Sequence, residues 1–311
     1  MLALLRAVGR RGTLVLFLGV FLGLLVPPLA ALLRPLLPPA VFLLLLLSLL
    51  RVDWRTVAAI LRRPTAVVLM VAWLQVLCPL LVVFALDATS VPDGLSGAVA
   101  LMAAAPPILS ASAVAFLVGL DGTFALVVGL AATLLTPLTV PPFAATMLPV
   151  PLSISAVDLM IRLSLLIGGS VLGAAIIRRL VGHDRLPRAY PVLDGTVVLV
   201  MLVFAVAVMD GVADALAADP GRVALWVAAA FVANPLLQLI GAFVGARLGF
   251  QRALTVGLLT GNCNMGLLLA VLPEGGSPGI LLFFAVAQIP MYTLPALLRP
   301  CYAWLVRRRG R

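Results

Sequence analysis

Thr260-Gly261-Asn262-Cys263-Asn264-Met265-Gly266 interrupts an otherwise apolar stretch over 253–272. A helix that crosses a bilayer needs about 20 apolar residues, and this stretch has that length. Its middle nevertheless holds two amide side chains between two glycines. Polarity at that depth is costly and marks functional positions. A second interruption lies far upstream, at Ala105-Pro106-Pro107-Ile108-Leu109-Ser110-Ala111-Ser112, inside the apolar stretch 95–118. Consecutive prolines remove two backbone donors and clash with the preceding turn. The freed carbonyls need protein, a cavity or a ligand, because lipid offers no partner. Pro137 and Pro141 follow the upstream interruption, and Pro290 and Pro295 follow the downstream one. A broken stretch followed by a proline-bearing one thus occurs twice, at corresponding places.

The remainder of the chain is of the same kind. It has 311 residues, 64% of them hydrophobic and 10% charged, with a mean hydropathy of +1.24. A soluble domain carries about 25% charge, so the solvent for this chain is lipid. Ten apolar stretches are expected to span: 12–33, 36–50, 65–86, 95–118, 122–146, 156–177, 190–212, 222–246, 253–272 and 278–303. The expected fold class is therefore an all-α membrane protein of ten transmembrane helices. The polar loop 178–190 is the longest cytoplasmic linker and lies near the middle, and the ten helices fall into residues 1–150 and 151–311, two repeats of five helices. Five is odd, so the second repeat enters from the opposite side. Inverted repeats of this kind build many secondary transporters.

Charge sets the expected orientation. All 21 basic residues are arginine. Arg6, Arg10 and Arg11 precede the first stretch, and Arg51, Arg55, Arg62 and Arg63 follow the second. Arg178, Arg179, Arg185 and Arg188 follow the sixth, Arg247 and Arg252 the eighth, and Arg307, Arg308, Arg309 and Arg311 close the chain. The alternate gaps carry Asp87, Asp93, Asp214, Asp219 and Glu274, with Arg34 and Arg222 against the trend. Basic loops stay cytoplasmic, so both termini are expected inside, in a multi-pass protein of the plasma or inner membrane. The formal charge of +10 follows from this topology and from anionic lipid. It does not call for nucleic acid. Arg10 and Arg11, an apolar run and Ala30-Ala31 could be mistaken for a signal peptide, but cleavage would leave nine spans and a broken charge pattern.

Several chemistries lack their residues. Cys78, Cys263 and Cys301 lie in or beside apolar segments, with neither disulfide nor zinc spacing. His183 is the only histidine and sits in a polar loop. No catalytic constellation lies at membrane depth, so an enzyme is not expected. Asn262 and Asn264 can offer carbonyls to a cation or amide hydrogens to a carboxylate. Half-helix N-termini at the same level would add positive dipole ends for an anion. Asn234-Pro235 and Gln238 kink the eighth stretch, the repeat mate of the third, which carries Gln75. Asp158 and Arg162 share a face of the sixth, either pairing together or drawing an anion. Thr133, Thr136 and Thr139 either satisfy neighbouring carbonyls or face the site. Arg299 is expected to snorkel.

The run Thr260 to Pro273 resembles the ninth-helix signature of the bile acid:sodium symporter family, bacterial homologues included. Pro106 to Pro141 is similar to that family's fourth and fifth helices, and Gln75, shortly before Cys78-Pro79, to its third-helix glutamine. The resemblance implies a core and a panel, with panel helices 1, 2, 6 and 7. It implies that the fourth and ninth helices unwind and cross near the midplane, where organic anions move with sodium. Carried onto this chain, it makes Gln75, Ser112, Thr260, Asn262, Cys263 and Asn264 the residues for a sodium ion. Ser110, Ser112, Asn234, Asn262 and Asn264 become the residues for a small organic anion. The pattern departs at Ala111, Ala125, Gly129 and Leu259, where the family carries oxygen ligands. The expected function is a secondary carrier of small organic anions, with sodium as the only expected coupled ion. The alternative is a uniporter or proton-linked carrier like the auxin efflux carriers, which share a ten-helix crossed plan.

Overall fold

In the computed structural model of the chain, residues 12–62, 64–149, 152–182, 185–273 and 278–309 are described. Arg6, Arg10, Arg11, Arg63, His183, Glu274 and Arg311 lie outside them. Every described element is helical. Six helices are long and apolar enough to cross a bilayer in one piece: Pro27–Leu50, Thr65–Asp87, Gly122–Met147, Ala156–Val181, Ala189–Ala218 and Pro220–Leu248. A bent pair, Gly279–Pro295 and Leu297–Arg308, meeting at 40°, is either a broken span, which brings the number to seven, or a re-entrant loop. Large apolar side chains face outward along these helices: Leu25, Leu180 and Phe243 are more than 75% exposed. An outer surface of this kind suits hydrocarbon, and the chain reads as a multi-pass membrane protein.

The stretches expected to span but absent from that set are interrupted helices, and each interruption has a cause. The first helix, α1 (Gly12–Leu25), stops at Val26, whose φ of −125° and ψ of 71° leave the helical region. Pro27 forces this, because a proline disfavours the helical conformation in the residue before it. The expected boundary was at 33–36, and there the chain does not break. Helix α2 (Pro27–Leu33) passes through a 3-10 turn, Arg34–Leu36, into α3 (Leu37–Leu50). Pro35 and Pro38 sit in first turns, where a missing N–H costs nothing. Arg34 therefore lies inside an apolar length, not in a loop.

A short helix, α4 (Trp54–Leu61), follows, then α5 (Thr65–Ala72), a π turn at Trp73–Leu77, and α6 (Cys78–Asp87). The π turn has a local origin. Pro79 cannot donate to the Gln75 carbonyl, and the Cys78 N–H bonds the Trp73 carbonyl instead. Next come α7 (Asp93–Ala104), α8 (Ala111–Leu117), α9 (Gly122–Met147), α10 (Ala156–Val181), α11 (Leu186–Ala207) and α12 (Val212–Ala218). The chain ends with α13 (Pro220–Val244), α14 (Phe250–Gly261), α15 (Met265–Leu269), α16 (Pro278–Val286) and α17 (Gln288–Arg309).

Two packing groups follow, joined where α9 lies along α10. Helix α11 lies along α1, α2 and α3, and α10 along α3. The second group gathers α6 with α7, α8 with α9, α13 with α14, and α7 with α16. Small residues set the tightest contacts, as expected where lipid is no worse than leucine as a neighbour. A Cβ on Gly257 or Gly261 would run into Gln238 and the backbone of α13, and one on Gly241 into Thr260. Gly19 and Gly23 play the same part between α1 and α11.

Candidate functional site: the crossing of two broken helices

Helices α7 and α14 both stop in mid-course, and their unwound segments meet. Ile108 N–H donates to the Asn262 carbonyl (2.9 Å), and Asn264 N–H donates to the Pro106 carbonyl (2.6 Å). These bonds make an antiparallel bridge between Pro107 and Cys263. Such a bridge uses the carbonyl before its central residue and the N–H after it. Pro106 supplies only a carbonyl and Pro107 needs no donor, so the Pro-Pro pair fits. The bridge satisfies backbone groups that neither broken helix can satisfy internally.

The amides around it divide into those spent on structure and those left open. Asn234 Nδ2 donates to the Gly261 carbonyl (2.7 Å), and Asn234 Oδ1 accepts from Gln238 Nε2 (2.6 Å). Gln238 Oε1 accepts from the Tyr302 hydroxyl (2.6 Å). This buried relay braces the last carbonyl of α14. Asn264 Oδ1 caps α15 by accepting from Leu267 N–H (3.2 Å). Thr260 Oγ1 donates to the Val256 carbonyl (2.8 Å) and accepts from Trp73 Nε1 (3.1 Å). That second bond ties the Gln75 helix to the crossing. The Cys263 thiol donates to the Thr260 carbonyl (3.2 Å), and the Ser112 hydroxyl to the Leu109 carbonyl (2.7 Å). Ser110 is exposed in the segment that leads from the bridge into α8.

Two buried polar atoms have no partner among the described residues: Asn262 Oδ1 and Gln75 Nε2. Asn262 and Gln75 are only 2% and 3% exposed. A buried unpaired group costs about 1–3 kcal/mol, and such groups in a native fold call for an explanation. Asn262 Nδ2 is held by the Leu258 carbonyl (2.7 Å), so the oxygen is what the residue presents. An open acceptor suits a cation or a donor, not a carboxylate. Gln75 Oε1 accepts from the Thr139 hydroxyl. The same hydroxyl can turn its proton to the Leu135 carbonyl (3.2 Å) and accept from the Gln75 amide. Either arrangement leaves one Gln75 group open.

The crossing thus brings together Asn262, Asn264, Cys263, Thr260, Ser110 and Ser112, with Asn234 joined through Gly261 and Gln75 through Trp73. The positions of the expected missing ligands are apolar and buried: Ala111, Ala125 and Leu259 are each 1% exposed. Thr133 and Thr136 bond carbonyls four residues back (2.8 and 2.9 Å), and only Thr139 reaches a neighbour's side chain. Arg162 Nη1 donates to the Val271 carbonyl just beyond α15 (3.1 Å), while Asp158 accepts from the Ser155 hydroxyl (2.8 Å). Arg162 thus turns to the end of a broken helix. Asp194 pairs with Arg51, and Asp210 with Arg34 (3.1 Å). No group of three or more His, Cys, Asp or Glu side chains suited to a metal occurs among the described residues. Trp73 and Tyr302 were missed in the sequence; both are polar-tipped aromatics inside apolar stretches, a signal that buried rings seek a partner. Compared with models of known protein families, and with curated proteins, the chain matches none.

Proposed function

We propose that this chain is a secondary carrier of small organic anions that works by alternating access. In this reading ten crossings form two inverted five-helix repeats, residues 1–150 and 151–311, with both termini cytoplasmic. The group α1 to α3 with α10 and α11 acts as a panel. The helices around the crossing act as the core, and one moves against the other. The observation that carries the reading is the backbone bridge between two unwound segments, with an unpaired acceptor, Asn262 Oδ1, buried beside it. Irregular backbone at that depth is tolerated where it is enclosed by protein or lines a path.

The coupling ion in this proposal is one sodium, held by Asn262 Oδ1 and by Gln75 once its amide presents oxygen. The apolar packing at Ala111, Ala125 and Leu259 argues against a second ion and favours one further reading, carriage with no coupled ion. Thermal unfolding of the purified protein against sodium, potassium and a panel of carboxylates separates the two, because a ligand of the folded state raises its midpoint by mass action. Stabilisation by sodium and not potassium supports the coupled carrier. Stabilisation by carboxylates alone supports the uncoupled one. Uptake of labelled carboxylate into vesicles with and without an inward sodium gradient is the direct check, and absence of uptake under both conditions would sink carriage.

A further inference from the structure

We propose that the cavity between Arg34 and Arg222 is a binding site for a small monocarboxylate, the first stop of the substrate on its way to the crossing. The proposal rests on the carrier reading above and adds to it a place and a charge. Arg34 and Arg222 are the two arginines in gaps that otherwise carry acids. Although 188 positions apart in the chain, both line one cavity of about 290 Å³. Arg34 stands within the apolar length Pro27–Leu50, where an ionised side chain is expensive and marks function by default.

The charges lining the cavity are Arg34, Asp210 and Arg222. Arg34 is tied to Asp210 at 3.1 Å, with both side chains largely withdrawn from solvent. Arg222 is exposed, and its guanidinium makes no ion pair among the described residues. Nearby Asp219 caps α13 by accepting from the Arg222 N–H (2.9 Å) and keeps its own negative charge. Arg222 is thus the charge on the wall without an ion pair among the described residues, and a carboxylate complements it. The rest of the wall is apolar, with Leu37, Val208 and Leu282 among its residues. The volume lies just under the range of small-molecule sites, which suits a short acid better than a sterol-sized one.

The cavity also points to the crossing. Leu269, the last residue of α15, forms part of its wall. Helical rise puts Leu269 roughly 7 Å along the axis from Asn264. The wall is shared between the two packing groups, with Leu37 on α3 and Arg222 on α13. A movement of one group against the other would open or close it.

The test places a cysteine at the cavity wall, Ala215→Cys, in a Cys301→Ser background; Cys78 and Cys263 are buried. Intact cells are treated with anionic or cationic membrane-impermeant methanethiosulfonates. The anionic reagent is expected to react several-fold faster. Pyruvate and 2-oxoisovalerate should slow the reaction, and taurocholate should not. Arg222→Gln should abolish the charge preference and Arg222→Lys should keep it, with size-exclusion profiles checking the fold of each. Equal rates for the two reagents, or a preference unmoved by Arg222→Gln, overturn the site. If transport is seen, Arg222→Gln should raise KM about tenfold with kcat little changed, and an unchanged KM also overturns it. Protection by pyruvate without uptake of any acid by the wild type leaves the site standing and removes carriage instead.

Discussion

Asn262 and Asn234 are the same residue type, both buried at the crossing, yet their hydrogen bonds separate them. Asn234 spends both ends of its amide, on Gly261 and on Gln238. Asn262 spends one and leaves Oδ1 buried without a partner. Asn234→Ala strands the Gly261 carbonyl and should lower stability by about 1–3 kcal/mol, seen as a lower thermal midpoint of the purified protein. Asn262→Ala removes an unpaired acceptor along with one bond, so the midpoint should move little while uptake is lost. Full uptake by Asn262→Ala would remove that residue from the site. Gln75→Leu fills the same space without an amide. It should abolish any sodium-dependent rise in midpoint and leave the carboxylate-dependent rise intact.

Helix packing carries its own expectations. Gly266 meets Phe204 of α11, and a Cβ there would come within 2.9 Å of the ring. Gly266→Ala should slow transport by jamming α15 against α11, and Phe204→Leu added to it should restore the rate; failure of that rescue would mean that the contact is not the brake. Gly257→Leu forces α13 and α14 apart and should destabilise by about 1–3 kcal/mol, measured as lost monodisperse protein on heating. At α4 the side chain of Asp53 accepts from the Thr56 hydroxyl (2.7 Å) and the Arg55 N–H (3.0 Å). These bonds hold its carboxyl below the usual carboxylate range. A lowered folded value means that the cap is complete above the ordinary carboxylate pKa and fades as pH falls through the folded one. Protection factors for amide exchange over α4, taken relative to the intrinsic rate at each pH, should therefore fall in acid for the wild type, and at neutral pH for Asp53→Ala.

The whole chain was legible to different depths. An all-helical membrane protein follows from composition, because no soluble core could hide this much apolar sequence. Ten continuous spans do not follow, since several stretches of adequate length are broken or bent. Arg34 shows why the boundaries were harder. Its charge and Pro35 suggested a loop, but a proline in a first turn costs no hydrogen bond, and the real break is one residue before Pro27-Pro28. The interruptions at Ala105–Ser112 and Thr260–Gly266 were readable because adjacent prolines in one, and two asparagines between glycines in the other, concentrate missing donors and polarity within an apolar stretch. Gly257 and Gly261, four apart, also carried a readable signal for close helix contact.

The residue types fixed the solvent, the helical class and the two places where helices must fail. They could not fix that the two failures meet, because the Pro106–Asn264 and Ile108–Asn262 hydrogen bonds join segments more than 150 residues apart. Nor could they say which amides are spent. Asn234 and Asn262 have equal capacity for bonding, and only the three-dimensional surroundings give one two partners and the other a single one. The convergence of Arg34 and Arg222 on one cavity is of the same kind. Local chemistry is written residue by residue, whereas pairing between distant segments depends on how the helices pack.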